Sequence, residues 1–285
     1  MIRTCTLFLL CVIIMVNTCI AEEPKPEPGK QIPQKMTVPK STSIWIWRGG
    51  EDFSKLLATP KPLDESGTEE MQYLIFLPKG YHADAEKEWP LLLFLHGAGE
   101  RGDDINLVTV HGPPKRIAKE PEELRGAARP LPFAETCPFI VVSPQCAKDR
   151  YWSPAQLHLL LDKIEAGYKI DKKRIYVTGI SMGGFGTWML TADRPERFAA
   201  VAPICGGFDT TQAEKFVNVP LWAFHGDADS VVNVRLSRDM VKAIEEAGGK
   251  KAKLTVYPGV NHVSWTQTYE NPELYDWFLS HSLGE

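Results

Sequence analysis

Six short and almost continuous apolar runs recur along the chain: Leu91–Leu95, Phe139–Val142, Ile175–Val177, Ala199–Ile204, Leu221–Phe224 and Leu254–Tyr257. A strand that is apolar at every position, rather than at alternate ones, must be covered on both faces, as strands are inside a parallel sheet. Helical patterns lie between the runs. Leu157, Leu160, Leu161, Ile164 and Tyr168 follow helical spacing, and so do Leu236, Met240, Val241 and Ile244 ahead of the stop at Gly248-Gly249. Asn271-Pro272 supplies an N-cap and a proline at the first helical position, followed by the apolar face Leu274, Trp277 and Phe278. Strands alternating with helices of this length imply right-handed crossovers and a doubly wound, mostly parallel α/β sheet. Ile44–Trp47 and Met71–Leu77, bounded by Gly and Pro, are predicted to add antiparallel strands on its N-terminal side.

The start of the chain has a different character. Arg3 precedes the apolar run Leu7–Val16, and the small residues Cys19 and Ala21 stand at the −3 and −1 positions of a cleavage site. Residues 1–21 therefore read as a signal peptide, too short in its apolar part to span a bilayer, which predicts a secreted or periplasmic protein. Residues 22–40 carry five prolines and read as a disordered Pro-rich linker, leaving 41–285 as a single catalytic domain. A formal net charge of −4 over 285 residues offers no electrostatic footprint for nucleic acid, nor for a membrane surface once the leader is removed. Outside the leader the cysteines are Cys137, Cys146 and Cys205. Cys137 and Cys146 flank an extended run too long to bridge, so Cys146 with Cys205 is the pairing to consider, against the equal alternative of three buried thiols.

In a parallel sheet of this kind, reactive groups collect just beyond the C-terminal ends of the strands. Gly179-Ile180-Ser181-Met182-Gly183 follows the run at Ile175–Val177 and opens a helical stretch, the strand-turn-helix context in which a G-x-S-x-G serine is held clear of the sheet. A serine hydroxyl needs an adjacent base to act as a nucleophile at neutral pH. His262, in the short loop after the last run, comes after both the serine and a strand-end acid. For the acid, Asp227 and Asp229 both follow Leu221–Phe224; Asp227 suits capping of the tight turn, and Asp229 is favoured as the partner that orients His262. The backbone N–H groups of Ala98 and Met182 are the candidate oxyanion donors, with His96 bracing the Gly97–Gly99 loop and Arg101 pairing locally with Asp103. Trp152, beyond another strand end, offers an aromatic face to a substrate or a ring to the core, and residues 100–135 form an insertion suited to a pocket wall or lid.

These segments resemble a family: the stretch from Leu95 to Asp103, His111-Gly112-Pro113-Pro114, Ser181 to Trp188, Pro203 to Gly207, His225 to Asp229, and Ser264 to Tyr269. The chain is similar to secreted bacterial hydrolases labelled predicted peptidases or phospholipase/carboxylesterase-like proteins, related to feruloyl esterases and polyhydroxybutyrate depolymerases. The resemblance runs from about Glu70 to the C-terminus. It implies an α/β-hydrolase fold, no cofactor, and Ser181, Asp229 and His262 as the catalytic set. The expected activity is hydrolysis of a small-molecule or polysaccharide-linked ester through an acyl-enzyme. A serine peptidase and a non-catalytic binding protein on a hydrolase scaffold are the alternatives, and ligand spacings for a metal enzyme are lacking.

Overall fold

The computed structural model describes residues 25–41, 63–83, 85–118 and 133–284. All six apolar runs become strands: β3 (Trp89–Leu95), β4 (Ile140–Pro144), β5 (Ile170–Ile180), β6 (Ala200–Ile204), β7 (Leu221–Gly226) and β8 (Ala252–Tyr257). With β1 (Gln31–Ser41) and β2 (Leu63–Phe76) they form one eight-stranded sheet in the order β1-β2-β4-β3-β5-β6-β7-β8. β1 pairs antiparallel with β2, and β2 antiparallel with β4, whereas β4-β3-β5-β6-β7-β8 are parallel throughout. Every residue of β3, β4, β6 and β7 is buried, as unbroken apolarity requires.

The expectation of a disordered linker over residues 22–40 is overturned where the chain is described: Gln31–Ser41 is a strand. It is an edge strand, where Pro33 and Pro39 remove no hydrogen bond that a central neighbour would need. Its register with β2 shifts between Pro39 and Lys40. The expected strand Met71–Leu77 falls largely within β2; Ile44–Trp47 and the leader lie outside the described residues.

Helices cover both faces. On one side α3 (Pro154–Gly167), α4 (Met182–Asp193) and α5 (Arg235–Glu246) place Leu157, Leu161, Trp188, Met240 and Ile244 against Leu91, Leu93 and Val177. On the other, α1 (Gly112–Ala118), α2 (Phe133–Thr136), α6 (Trp265–Glu270) and α7 (Pro272–Leu279) cover Leu92, Phe94 and Phe224 with Ile117, Phe133, Tyr269 and Phe278. The Asn271 side chain accepts from Glu273 N–H and Pro272 opens α7, as the sequence predicts. Among the described residues no helix is long and apolar enough to cross a membrane.

One consequence fixes the location of the chemistry. Because β3, β5, β6, β7 and β8 are parallel neighbours, the loops that follow them emerge along a single edge.

Candidate active site

Ser181 sits at the turn from β5 into α4 with φ 51° and ψ −113°, a conformation that an L-residue adopts at a cost of about 1–3 kcal/mol. The turn is tight because the backbones of three segments converge on it. A Cβ on Gly183 would lie 1.9 Å from the Leu95 carbonyl oxygen, and one on Gly179 would lie 2.3 Å from the Gly183 carbonyl oxygen. Only glycine fits at either position, which is the physical content of the G-x-S-x-G spacing. Ser181 N–H is held by the Ile204 carbonyl at 3.0 Å and approaches Cys205 Sγ at 3.3 Å, so the end of β6 fixes the turn from beneath.

Facing that hydroxyl is the loop after β8. His262 Nε2 lies 2.9 Å from Ser181 Oγ, and His262 Nδ1 lies 2.7 Å from Asp229 Oδ2. Nδ1 meets a carboxylate that can only accept, so it carries the ring hydrogen, and Nε2 is the free lone pair turned to the serine. The Asp229 side chain is fully buried, whereas the His262 side chain keeps 16 % exposure at the surface of the site. Burial alone raises a carboxyl pKa. Here it is outweighed by hydrogen bonds from His225, His262 and the Val232 and Val231 N–H groups, which together hold Asp229 well below the usual carboxylate range. Asp227 takes the other role, accepting from Gly259 N–H at 2.6 Å and pinning the two loops together.

Asn261 is a participant that the sequence did not reveal. Its Oδ1 accepts from Ser230 N–H at 2.9 Å, Ser230 Oγ at 3.1 Å and His262 N–H at 2.7 Å, tying the loop after β7 to the loop after β8. Trp265 supports the same region from below, with the His262 and His111 rings edge-on to it at 5.3 and 5.2 Å.

Ala98 opens a short 3-10 turn after β3, and Met182 is the first residue of α4. Each N–H stands at the start of a helical element, where no carbonyl of that element precedes it to accept. His96 braces this loop. Its Nε2 accepts from Cys146 N–H at 2.9 Å, so Nδ1 carries the hydrogen and donates to the Gly97 carbonyl at 2.6 Å. Arg101 braces it as well, through the carbonyls of Ala98 and Arg150.

Trp152 does not offer its ring to a substrate. It is 2 % exposed, lies edge-on to His96, and donates from Nε1 to the His96 carbonyl at 3.2 Å. A ring this buried cannot stack on a sugar or a phenol; it is part of the scaffold beneath the loop. In the 100–135 insertion, α1 is anchored by Arg116 to the Tyr269 carbonyl, and residues 119–132 lie outside the described residues. Cys137, Cys146 and Cys205 are all free buried thiols, so Cys146 and Cys205 form no disulfide. Burial pushes the first two up to about 12. Cys205 Sγ, Asp229 and His262 present potential metal ligands within 4.8 Å of one another, and a hydrogen bond already joins Asp229 to His262.

The buried brace has a consequence for stability. Burial lowers the His96 pKa from its usual 6.5 to about 4, against a raising hydrogen bond to the Gly97 carbonyl. Unfolded chains therefore bind a proton at this position between those two values while the native protein does not, and stability falls as pH drops through that window. At about 1.4 kcal/mol per unit this amounts to about 3 kcal/mol. Urea unfolding at pH 7 and pH 4.5 is expected to show most of that loss, and His96→Gln is expected to flatten the slope. An equal slope in both proteins would mean that other groups govern acid sensitivity.

Comparison with known proteins agrees with this architecture. Residues 153–274 match the sequence model of the Dienelactone hydrolase family. A thermostable esterase of known structure is 36 % identical, with a TM-score of 0.64 over 77 % of this chain and 61 % of that one. A feruloyl esterase module from Clostridium thermocellum shares the fold at 15 % identity, with a TM-score of 0.56 over 89 % of each chain. Among curated proteins, feruloyl esterase D of Neurospora crassa is 31 % identical over 101 residues, which is 35 % of either chain. A bifunctional acetylxylan esterase/xylanase of Neocallimastix patriciarum is 28 % identical over 148 residues, 48 % of this chain and 21 % of that protein. The chain thus spans between about a fifth and about a third of these two curated relatives. The chain has the α/β-hydrolase fold, and parts of its sequence are similar to a feruloyl esterase and a poly(3-hydroxyalkanoate) depolymerase.

Proposed function

We propose that this protein is a secreted serine carboxylic-ester hydrolase in which Ser181 is the nucleophile, His262 the base and Asp229 the acid that orients it. The observation that carries the reading is the continuous hydrogen-bond path Ser181–His262–Asp229, at 2.9 and 2.7 Å, on the edge where six parallel strands end. Such a path has one evident chemical use. His262 Nε2 takes the Ser181 proton as Oγ bonds to the ester carbonyl carbon, and the resulting oxyanion accepts from Ala98 and Met182 N–H. The C–O bond to the alcohol then breaks, with the same proton passing from His262 to the departing oxygen. Water, deprotonated by His262, attacks the acyl carbon; the acyl–Oγ bond breaks, the carboxylic acid leaves, and His262 returns the proton to Ser181 Oγ. No cofactor enters the sequence. General-base assistance and the oxyanion donors each contribute roughly 10²–10⁴ in rate.

The substrate class follows from setting and surroundings. We read residues 1–21 as an export leader, and proteins similar to this chain include a bifunctional acetylxylan esterase/xylanase and a feruloyl esterase. Val231 and Val263, exposed to 57 and 54 %, follow closely on Asp229 and His262 in the chain and are the apolar side chains we assign to acyl contact. We assign the substrate to acyl groups carried on polysaccharide, acetyl or feruloyl. The test is a panel of acetylated xylan, feruloylated oligosaccharides, short-chain nitrophenyl esters and peptide amides. Highest kcat/KM on a carbohydrate-linked ester is expected. Turnover of nitrophenyl esters alone, or of peptides, overturns the assignment.

A further inference from the structure

His225 is the next-to-last residue of β7, has no surface exposure, and takes no part in the proton transfers set out above. Its surroundings are specific. Nε2 faces two acceptors, the Val232 carbonyl at 2.9 Å and Asp229 Oδ2 at 3.2 Å, and therefore carries a hydrogen. Nδ1 lies 2.8 Å from Ser237 Oγ, whose single hydrogen is shared between Nδ1 and the Gly206 carbonyl, also at 2.8 Å. Gly206 in turn packs on the backbone of Gly184 and Phe185 in the first turn of the nucleophile helix.

Asp229 is thus a carboxylate shared by two imidazoles. Oδ1 accepts from Val231 and Val232 N–H, each at 2.8 Å; Oδ2 accepts from His262 Nδ1 at 2.7 Å and lies 3.2 Å from His225 Nε2, whose hydrogen it shares with the Val232 carbonyl. Both oxygens are engaged, and the plane of the carboxylate is fixed from two directions. From this geometry we infer that His225 is a positioning residue: its Nε2–H fixes Asp229 and sets how much of the carboxylate charge is directed at His262. The inference rests on the proposed roles of Ser181, His262 and Asp229. The titratable side chains that face Asp229 are His262, His225 and Cys205, and burial keeps the Cys205 thiol protonated. Without the His225 donor, Oδ2 is left with His262 as its one side-chain partner. Its charge then favours the His262 imidazolium in the free enzyme, and its orientation loosens.

Two substitutions separate this role from packing. In His225→Gln the carboxamide nitrogen takes the place of Nε2 and keeps the Asp229 contact. In His225→Asn it takes the place of Nδ1, keeping the Ser237 contact and losing Asp229. With concentrations set by active-site titration, His225→Asn is expected to lower kcat by about 10–100-fold, the usual cost of removing such a supporting partner. KM should stay within about twofold, and the acid limb of the kcat/KM profile should move to higher pH. His225→Gln should restore most of kcat and return the limb toward wild type. The NMR resonance of the His262 Nδ1 proton should move in the Asn variant and stay near its place in the Gln variant. A wild-type rate and acid limb in His225→Asn would overturn the inference. So would equal losses in both variants with an unmoved limb, which would mark His225 as packing only. Ser181→Ala run in parallel keeps the two readings apart: activity retained there defeats the nucleophile assignment itself, independently of His225.

Discussion

Ser181→Ala is expected to leave the fold intact and to lower kcat on the best ester substrate by about 10⁵–10⁶-fold, the scale seen when a triad serine is removed. The magnitude follows from how much of the site depends on one oxygen. His262 has its lone pair aimed at Oγ at 2.9 Å, and with a methyl group there it has no proton to take and no nucleophile to activate. What survives is the capacity of the Ala98 and Met182 loops to bind substrate and polarise its carbonyl, worth about 10³–10⁴ over water. Stability should change little, because the backbone of residue 181 is fixed by Ile204 and by the two flanking glycines rather than by the hydroxyl. Burst kinetics and a thermal melt on the same preparation check both halves. A variant that keeps more than a hundredth of the wild-type rate would remove Ser181 from the mechanism.

Asp229→Asn is expected to cost about 10⁴ in kcat, by a different route. The two backbone donors at Oδ1, Val231 and Val232 N–H, select the carbonyl oxygen of the new carboxamide for that position. Its NH2 group is then left where Oδ2 was, 2.7 Å from His262 Nδ1 and 3.2 Å from His225 Nε2. Against His262 it donates, which drives the ring to carry its hydrogen on Nε2, directed at Ser181 Oγ. A ring in that tautomer cannot accept the serine proton. Against His225 two donors meet in a buried place, a mismatch of about 1–3 kcal/mol that should appear as a lower melting temperature. Intact kcat in Asp229→Asn would mean that Asp227 or another acid orients the base.

Much of this site is legible in the sequence because its chemistry is tied to strand ends. Ser181, Asp229 and His262 each follow an apolar run, and parallel pairing of β5, β7 and β8 brings those ends to one edge. The glycines of the turn are legible for the same reason, since a turn so tight tolerates no Cβ. What the sequence hides is tertiary. Trp152 sits beyond a strand end just as a ligand platform does, and only its bond to a carbonyl 56 residues away makes it scaffold. Asn261 is an ordinary loop polar residue until two loops are seen to converge on its oxygen. His225 reads as strand-end histidine, and its link to Asp229 depends on the curl of the chain from Gly226 to Val232. β1 was hidden for a local reason: prolines at 33 and 39 and burial confined to Gln34, Val38 and Ser41 give neither alternation nor continuity. An edge strand needs neither.

The central claim, that Ser181 is activated by His262, has one direct test: exposure to a fluorophosphonate followed by peptide mapping, in the wild type and in His262→Ala. A single phosphonyl adduct on Ser181 of the wild type, formed at least about a hundredfold more slowly without the imidazole, is the predicted result. No adduct on the folded wild-type protein, an adduct on another residue, or equal labelling rates in both proteins would contradict it.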